Sequence, residues 1–223
     1  MEDVHHPITR LVCLENTQNS CGGIPITLDY TRQVGELAQQ NSLALHIDGA
    51  RIFNAAVAQN VPVKELVEPA DSVMFCLSKG LASPIGSMVV GSREFIARAR
   101  HIRKMLGGGM RQVGVVAAAG IISLEKMTGR LAEDHARAKR MADGLRQVRG
   151  LVLDAGSPHT NMIYMNLSEN VSMNEREVCE KMKNYGLLVD WASARRFRLV
   201  THYWIGDEAV EKTVSAFRSV LTQ

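Results

Sequence analysis

The chain has 223 residues, enough for one large or two modest domains, and its 46% hydrophobic and 22% charged content is typical of a soluble globular protein. A net charge of +3 is too small to indicate a nucleic-acid partner, and no apolar stretch is long enough to span a bilayer. The acidic N-terminus lacks the basic and apolar regions of a signal peptide, so we expect a cytoplasmic protein. The four cysteines show no CxxC spacing and are expected to be reduced thiols rather than metal ligands.

Hydrophobic periodicity predicts alternating strands and helices in the first part of the chain. Such alternation is typical of an α/β domain with a largely parallel sheet. The last of these helices is rich in Gly and Ala, and we expect it to lie in an interior or an interface. The predicted elements are strand Leu11–Leu14, helix Asp29–Gln40, strand Leu43–Ile47, helix Ile52–Gln59, strand Ser72–Ser78, strand Ser87–Val90, helix Arg93–Leu106 and helix Val113–Leu124.

A second region begins near Arg130 with a helical stripe that ends at Gly150. Strands and helices that follow it predict a small α+β domain. Ser172 and Glu175 have the spacing of a capping box for one of these helices. The predicted elements after the stripe are strands Leu151–Leu153, Asn161–Met165, Gly186–Val189 and Phe197–Val200, a helix that carries Val178 and Met182, and a terminal helix Val210–Leu221.

Two residues at predicted strand ends can carry chemistry. Lys79 closes the apolar run Ser72–Ser78, and Asp48 ends the preceding strand 31 positions earlier. Ligands of parallel sheets collect at the carboxyl ends of the strands. A lysine that forms a Schiff base needs a rigid, partly desolvated seat, and an aspartate can keep the pyridine nitrogen of pyridoxal phosphate protonated. The pair therefore suggests pyridoxal phosphate chemistry, although a lone lysine after a buried strand is more often an ordinary strand-end charge.

Five segments occur along the chain in this order: Leu14–Thr17, His46–Arg51, Cys76–Leu81, Lys104–Gln112 and Arg198–His202. In combination they resemble the low-specificity L-threonine aldolases of the beta-eliminating lyase family. Together they cover nearly the whole chain and are far more specific than any one of them. The resemblance implies the aspartate-aminotransferase-like (fold type I) α/β fold of pyridoxal phosphate enzymes, with a partial large domain in residues 1–129 and a small α+β domain in residues 130–223. It also implies a homo-oligomer, either a dimer or a tetramer.

The resemblance implies a set of cofactor-binding residues. Lys79 is the lysine that bonds to the cofactor, and Asp48 is the partner of its pyridine nitrogen. Arg51 lies beside Asp48 in the cofactor site. Lys104 and Arg111 match positions that face the active-site region, and for these two the alternative is a basic helix end without a ligand.

The resemblance also implies two residues that act on the substrate. Arg198 matches an arginine that binds the substrate carboxylate, a role for which the planar guanidinium fork is suited; the alternative is a surface arginine on a strand. His5 matches a catalytic histidine near the substrate hydroxyl, where imidazole can accept a proton. The alternative for His5 and His6 is a loose pair at the chain end.

The implied reaction is the retro-aldol cleavage of L-threonine or L-allo-threonine to glycine and acetaldehyde, by a lyase whose substrate is a small amino acid. Two alternatives stay open: a catalytically silent, truncated isoform that acts only through subunit association, and another reaction on the same scaffold, such as β-elimination or racemisation. The chain has no Gly-Ser-Gly-type phosphate-binding turn before Leu11. We therefore expect an N-terminally incomplete member with weaker cofactor binding and an uncovered sheet edge.

Overall fold

The computed structural model describes residues 5–222, which form two compact units. The first contains the residues up to Thr17 together with Ile26–Lys126, and the second contains Gln18–Pro25 together with the residues from Met127 onward. This division differs from the predicted one in two respects: it falls after Lys126 rather than after residue 129, and Gln18–Pro25 groups with the second unit. Within the second unit, the Tyr164 hydroxyl donates a hydrogen bond to the Asn19 carbonyl. Within residues 5–222, no helix is long and apolar enough to cross a membrane.

The first unit contains a four-stranded sheet with the order β1-β2-β3-β4. Its first three strands are parallel and the fourth is antiparallel to β3, so the predicted α/β architecture with a largely parallel sheet is confirmed. In the register, Asp48 lies opposite Glu15 on one side and Met74 on the other. The carboxyl ends of three parallel strands therefore meet at one edge. The strands are β1 (Leu11–Glu15), β2 (Ala44–Asp48), β3 (Ser72–Cys76) and β4 (Ser87–Gly91).

Helices pack around this sheet, and two of them begin at side-chain caps. The Thr27 hydroxyl accepts a hydrogen bond from the Tyr30 N–H, and the Ser92 hydroxyl accepts one from the Phe95 N–H, so each satisfies a free donor at a helix start. The helices of the unit are α1 (Leu28–Gln40), α2 (Ile52–Gln59), α3 (Val63–Val67), α4 (Arg93–Met105) and α5 (Gly114–Ile122). Its core consists of Ile47, Ile52, Ala55, Ala56, Leu66 and Val73.

One part of the first unit is poorly covered. Every residue of β4 is exposed, and α4 has no buried residue. In α5 the only buried residue is Gly120, so this helix does not lie in the interior of the unit. Its predicted place at an interface stays a prediction.

The second unit contains an antiparallel sheet with the order β5-β6-β8-β7. Phe197 on β8 and Phe217 on the last helix are fully buried and meet edge to face, with ring centroids 5.9 Å apart. This pair lies in the core of the unit. The elements are α6 (Leu131–Arg146), β5 (Leu151–Leu153), β6 (Met162–Leu167), α7 (Glu175–Lys183), β7 (Trp191–Ser193), β8 (Arg196–Val200) and α8 (Asp207–Leu221).

The predicted strand Gly186–Val189 is wrong. Gly186 has a left-handed φ of +67°, and the Leu187 N–H donates to the Met182 carbonyl at 3.2 Å. These are the features of a helix C-terminus, where glycine adopts the left-handed conformation without a steric penalty. The residues after Gly186 are therefore irregular, Leu188 is 90% exposed, and the strand forms later, at Trp191–Ser193.

The predicted capping box is also displaced by two residues. Helix α7 is capped by Asn174, whose side chain accepts the Glu177 N–H at 3.0 Å, while the Glu177 carboxylate accepts the Asn174 N–H at 2.8 Å. Glu175 accepts the Arg195 N–H instead, at 2.9 Å. A possible cap residue is followed by Glu three positions later twice in this segment, at Ser172 and at Asn174. The helix begins after Asn174, and Asn is a strong helix cap.

Candidate active site

Asp48 is the last residue of β2 and lies at the carboxyl edge of the parallel strands. It is half-buried, and its carboxylate accepts the Ala50 N–H at 3.1 Å. Its carbonyl accepts the Asn16 N–H at 2.9 Å, while the Gly49 N–H donates to the Met74 carbonyl at 2.8 Å. A Cβ atom on Gly49 would lie 2.9 Å from that carbonyl oxygen, so only glycine allows this close approach. The backbone around Asp48 is therefore held by both neighbouring segments, and its carboxylate is oriented by the Ala50 N–H.

Arg51 lies on the turn that follows Asp48. It occupies the cap position of α2, and its carbonyl accepts the N–H groups of Asn54 at 3.0 Å and Ala55 at 3.1 Å. The residue is half-buried. The start of α2 therefore fixes the Arg51 backbone three residues after Asp48.

Lys79 lies in the turn between β3 and β4. The Leu77 N–H donates to the Gly86 carbonyl, the Ser83 N–H to the Leu77 carbonyl, and the Ala82 N–H to the Lys79 carbonyl, at 3.0, 3.0 and 2.9 Å. These bonds hold the turn rigid at the carboxyl end of β3. The lysine side chain itself is exposed, so the residues that the structure describes do not form the partly desolvated seat that we predicted.

Two buried hydroxyls belong to segments that contact Asp48 or contain Lys79. The sequence did not indicate either of them as a site residue. Thr17 is 0% exposed and follows Asn16, which donates to Asp48; Ser83 is 5% exposed and lies in the Lys79 turn. Among residues 5–222, neither hydroxyl has a hydrogen-bond partner. Buried polar groups are rarely left unpaired in native proteins, so these two hydroxyls require a partner that the described residues do not supply.

Lys104 and Arg111 lie on either side of the glycine-rich turn that follows α4. Both are exposed, and within the described part of the chain neither forms an ion pair. A Cβ atom on Gly109 would lie 2.4 Å from Cδ of Lys104, so the turn lies directly against the lysine side chain. The two cations are therefore available to an anionic group.

His5 is the first residue that the structure describes, and it lies in an exposed turn before β1. Its predicted role at the substrate hydroxyl stays a prediction.

Arg198 belongs to the second unit, where it lies on β8 opposite Tyr164 of β6. It is exposed, and its Nη1 donates to Oδ1 of Asn19 at 2.7 Å. No carboxylate of residues 5–222 forms an ion pair with it. Arg196, two residues earlier, pairs with Asp154. The two arginines line a pocket of about 340 Å³ together with Asn19, Ser20, Tyr164 and Trp191.

No three His, Cys, Asp or Glu side chains converge in a metal-binding arrangement in the part of the chain from residue 5 to residue 222. The positions described above offer an amine, an oriented carboxylate and several cations.

Comparisons with known proteins agree with these observations. A family model described as beta-eliminating lyase matches residues 1–168. Low-specificity L-threonine aldolase 1 of Arabidopsis thaliana is 43% identical over 97% of this chain, and low specificity L-threonine aldolase of Escherichia coli K12 is 40% identical over 100% of it. The chain spans 60% and 63% of the lengths of these two relatives.

Solved structures show the same fold at low identity. Threonine aldolase of Leishmania major superposes with a TM-score of 0.76 at 17% identity, over 99% of this chain and 64% of that chain. Histidinol-phosphate aminotransferase of Clostridium acetobutylicum superposes with a TM-score of 0.68 at 15% identity, over 95% of this chain and 64% of that chain. At such identities the likeness concerns the fold alone.

Proposed function

Since this chain belongs to the beta-eliminating lyase family and has the predicted aminotransferase-like fold type I, we propose that it is a lyase that cleaves L-threonine and L-allo-threonine to glycine and acetaldehyde with pyridoxal phosphate. The observation that carries the proposal is the position of Asp48 and Lys79. Asp48 ends β2, and Lys79 follows the neighbouring parallel strand β3. Both lie at the edge of the sheet where ligands bind in this class of fold.

The residues at this edge have the chemistry that pyridoxal phosphate requires. The cofactor has a basic ring nitrogen, an aldehyde and a phosphate. A carboxylate that is already oriented by the Ala50 N–H suits the ring nitrogen, and the amine of Lys79 on a rigid turn suits the aldehyde. The buried hydroxyls of Thr17 and Ser83 have no hydrogen-bond partner among the described residues. The donor set therefore fits the cofactor.

Each cofactor-binding residue has a distinct part in this proposal. Lys79 would hold the cofactor covalently through its side-chain amine. Asp48 would keep the ring nitrogen of the cofactor protonated. Arg51 would lie beside Asp48 in the cofactor site, at the start of α2. Lys104 and Arg111 supply positive charge to the phosphate. When bound, the cofactor supplies an electron sink that makes cleavage of the Cα–Cβ bond possible.

The substrate needs two further groups. We assign the carboxylate of the amino acid to Arg198, because its guanidinium has no acidic partner among the described residues. We assign the proton of the β-hydroxyl to His5, whose imidazole can act as a base near neutral pH. Because Arg198 holds the carboxylate of the substrate, the substrate cannot rotate freely. Its Cα–Cβ bond, which is cleaved, therefore keeps one orientation.

The proposed enzyme is a homo-oligomer. This rests on the exposed apolar side chains of β4, α4 and α5, which include Val89 at 45%, Met105 at 77% and Val115 at 75% exposure. Contiguous exposed apolar surface is typical of an interaction surface. The mass of the purified chain, measured by light scattering on a sizing column, tests this: a dimer or tetramer is expected, and a monomer at all concentrations would contradict it.

The experiment that tests the function measures acetaldehyde release from L-threonine and L-allo-threonine by the purified chain with added pyridoxal phosphate. We expect release by the parent chain and by Lys64→Ala, in which an exposed lysine of α3 is removed as a matched control. Lys79→Ala should release none. Asp48→Asn should bind the cofactor but react far more slowly, since the ring nitrogen loses its anionic partner.

Other results would identify the alternatives. Cofactor binding without acetaldehyde would refute the proposed reaction. Ammonia and a keto acid formed from L-serine would then indicate β-elimination, and loss of optical rotation would indicate racemisation. A chain that does not bind the cofactor but forms a stable oligomer would indicate the silent, associating isoform.

A further inference from the structure

Two arginines lie on the same face of β8, but only one of them is neutralised. Arg196 forms an ion pair with Asp154, and its guanidinium lies 4.6 Å from the centre of the Tyr164 ring. Asp154 in turn accepts a hydrogen bond from Asn166 at 2.8 Å. The charge of Arg196 is therefore compensated within the second unit.

Arg198 has a different partner. Its Nη1 donates to the amide oxygen of Asn19 at 2.7 Å, across 179 residues of sequence. Asp190 also lines the pocket, but its Oδ1 accepts the N–H of Trp191 at 2.8 Å and forms no ion pair with Arg198. The guanidinium is thus oriented by a neutral group and keeps its full charge.

Asn19 is itself held firmly through its backbone. Its carbonyl accepts the hydroxyl of Tyr164 at 2.6 Å, and Tyr164 is only 2% exposed. The same carbonyl accepts the Gly22 N–H at 3.2 Å. A Cβ atom on Gly23 would lie 2.3 Å from Cε of Met162, so the segment packs against β6 at a distance that only glycine permits. The side chain of Asn19 is therefore presented to Arg198 from a fixed position.

We propose that Asn19 is a positioning residue: it aims the Arg198 guanidinium, and because its amide is neutral it leaves the positive charge free for the carboxylate of the amino-acid substrate. The proposal rests on the proposed function for the identity of that carboxylate. A carboxylate in place of the amide would bind the guanidinium more strongly, since charge-assisted hydrogen bonds are the stronger ones. It would also compete with the substrate for the same charge.

The effects of two substitutions of Asn19 distinguish this positioning role from a merely structural one. Asn19→Asp keeps the size of the side chain and the acceptor oxygen, so a structural role would be preserved in it and lost in Asn19→Ala. If Asn19 serves to keep Arg198 charged and aimed, Asn19→Asp is the more harmful of the two for substrate binding, although its folded state is equally stable or more so.

The test is the steady-state cleavage of L-threonine by the full chain with pyridoxal phosphate. We expect Asn19→Asp to raise KM about tenfold and Asn19→Ala about threefold, with kcat changed less than about twofold in both, because a charged hydrogen bond to the ground-state carboxylate is lost. Asn170→Asp, which adds the same charge at an exposed position of the second unit, should leave both constants unchanged. A KM for Asn19→Asp at or below that of Asn19→Ala would overturn the proposal.

A second measurement does not depend on catalysis. Phenylglyoxal modifies free guanidinium groups, and mass spectrometry of the digested chain gives the rate at each arginine. Arg198 should react faster than Arg196 in the parent chain, and Asn19→Asp should slow the reaction of Arg198 while the rate at Arg196 stays the same. An unchanged rate at Arg198 would overturn the proposal. If the parent chain releases no acetaldehyde, the proposed function fails, and these modification rates alone decide whether Asn19 controls Arg198.

Discussion

The ion pair between Arg130 and Asp134 leads to a prediction about stability. Nη1 and Nη2 of Arg130 donate to the two carboxylate oxygens of Asp134 at 3.0 and 2.6 Å. Asp134 is 0% exposed, while 13% of the Arg130 side chain is exposed. Hydrogen bonding to Asp134 raises the pKa of the Arg130 guanidinium, so the guanidinium stays charged. The backbone carbonyl of Asp134 also accepts the hydroxyl of Thr201 at 2.6 Å.

Removal of either partner should destabilise the fold, but not equally. Breaking a buried ion pair from one side costs about 3–5 kcal/mol, because the remaining charge is left buried and unpaired. Arg130→Met leaves the fully buried carboxylate alone, and we expect a cost of about 5 kcal/mol. Asp134→Leu leaves a guanidinium that is partly exposed, 3.6 Å from Glu133 and 5.2 Å from the centre of the Tyr203 ring, so its cost should be about 3 kcal/mol.

The assay is urea unfolding at neutral pH, followed by circular dichroism, of the parent chain, both single variants and the double variant. The double variant should recover most of the loss, because it buries apolar groups of similar volume and leaves no charge unpaired. A larger loss in the free energy of unfolding for Asp134→Leu than for Arg130→Met would contradict this prediction. So would a loss in the double variant equal to the sum of the losses in the two single variants.

Three further predictions follow from other contacts. Burial lowers the pKa of His135 below its ordinary value of 6.5, so its contribution to stability is complete above about pH 6.5 and is lost as the pH falls through the lower folded value. His135→Gln should therefore show a smaller fall in Tm than the parent chain between about pH 7.5 and about pH 5, and an equal fall would be evidence against this. Gly109→Ala must displace the Lys104 side chain; it should weaken pyridoxal phosphate binding in a titration and change stability by less than about 0.5 kcal/mol, whereas unchanged affinity would separate Lys104 from the site. Phe217→Ala should cost about 3–5 kcal/mol in urea unfolding, and a double-mutant cycle with Phe197→Ala should give a coupling of about 0.5–1.5 kcal/mol; additive costs would exclude an interaction between the rings.

The strand ends that carry Asp48 and Lys79 could be predicted because short apolar runs bounded by turn residues are a local signal. β2 and β3 end at Asp48 and Cys76, at or close to the predicted positions. The same kind of signal failed at Gly186, where an apolar run follows a glycine that ends a helix. There the glycine has a local role that hydrophobicity alone does not reveal.

Contacts between distant residues could not be predicted in this way. Asn19 lies in a polar, glycine-rich turn, and nothing in the sequence indicates that it meets Arg198 179 residues later. The unpaired state of the Ser83 hydroxyl, within the described residues, likewise depends on the packing of a whole turn. The exposure of the Lys79 side chain likewise depends on which residues pack around its turn, and the sequence of the preceding strand does not reveal it.

The central claim is that Lys79 is the residue that holds pyridoxal phosphate. The most direct measurement is to add the cofactor to the purified chain, reduce with borohydride, and map the label by mass spectrometry after digestion. We expect one phosphopyridoxyl group on the peptide that contains Lys79, and none on that of the exposed Lys64. A label spread equally over exposed lysines, or no label at all, would contradict it.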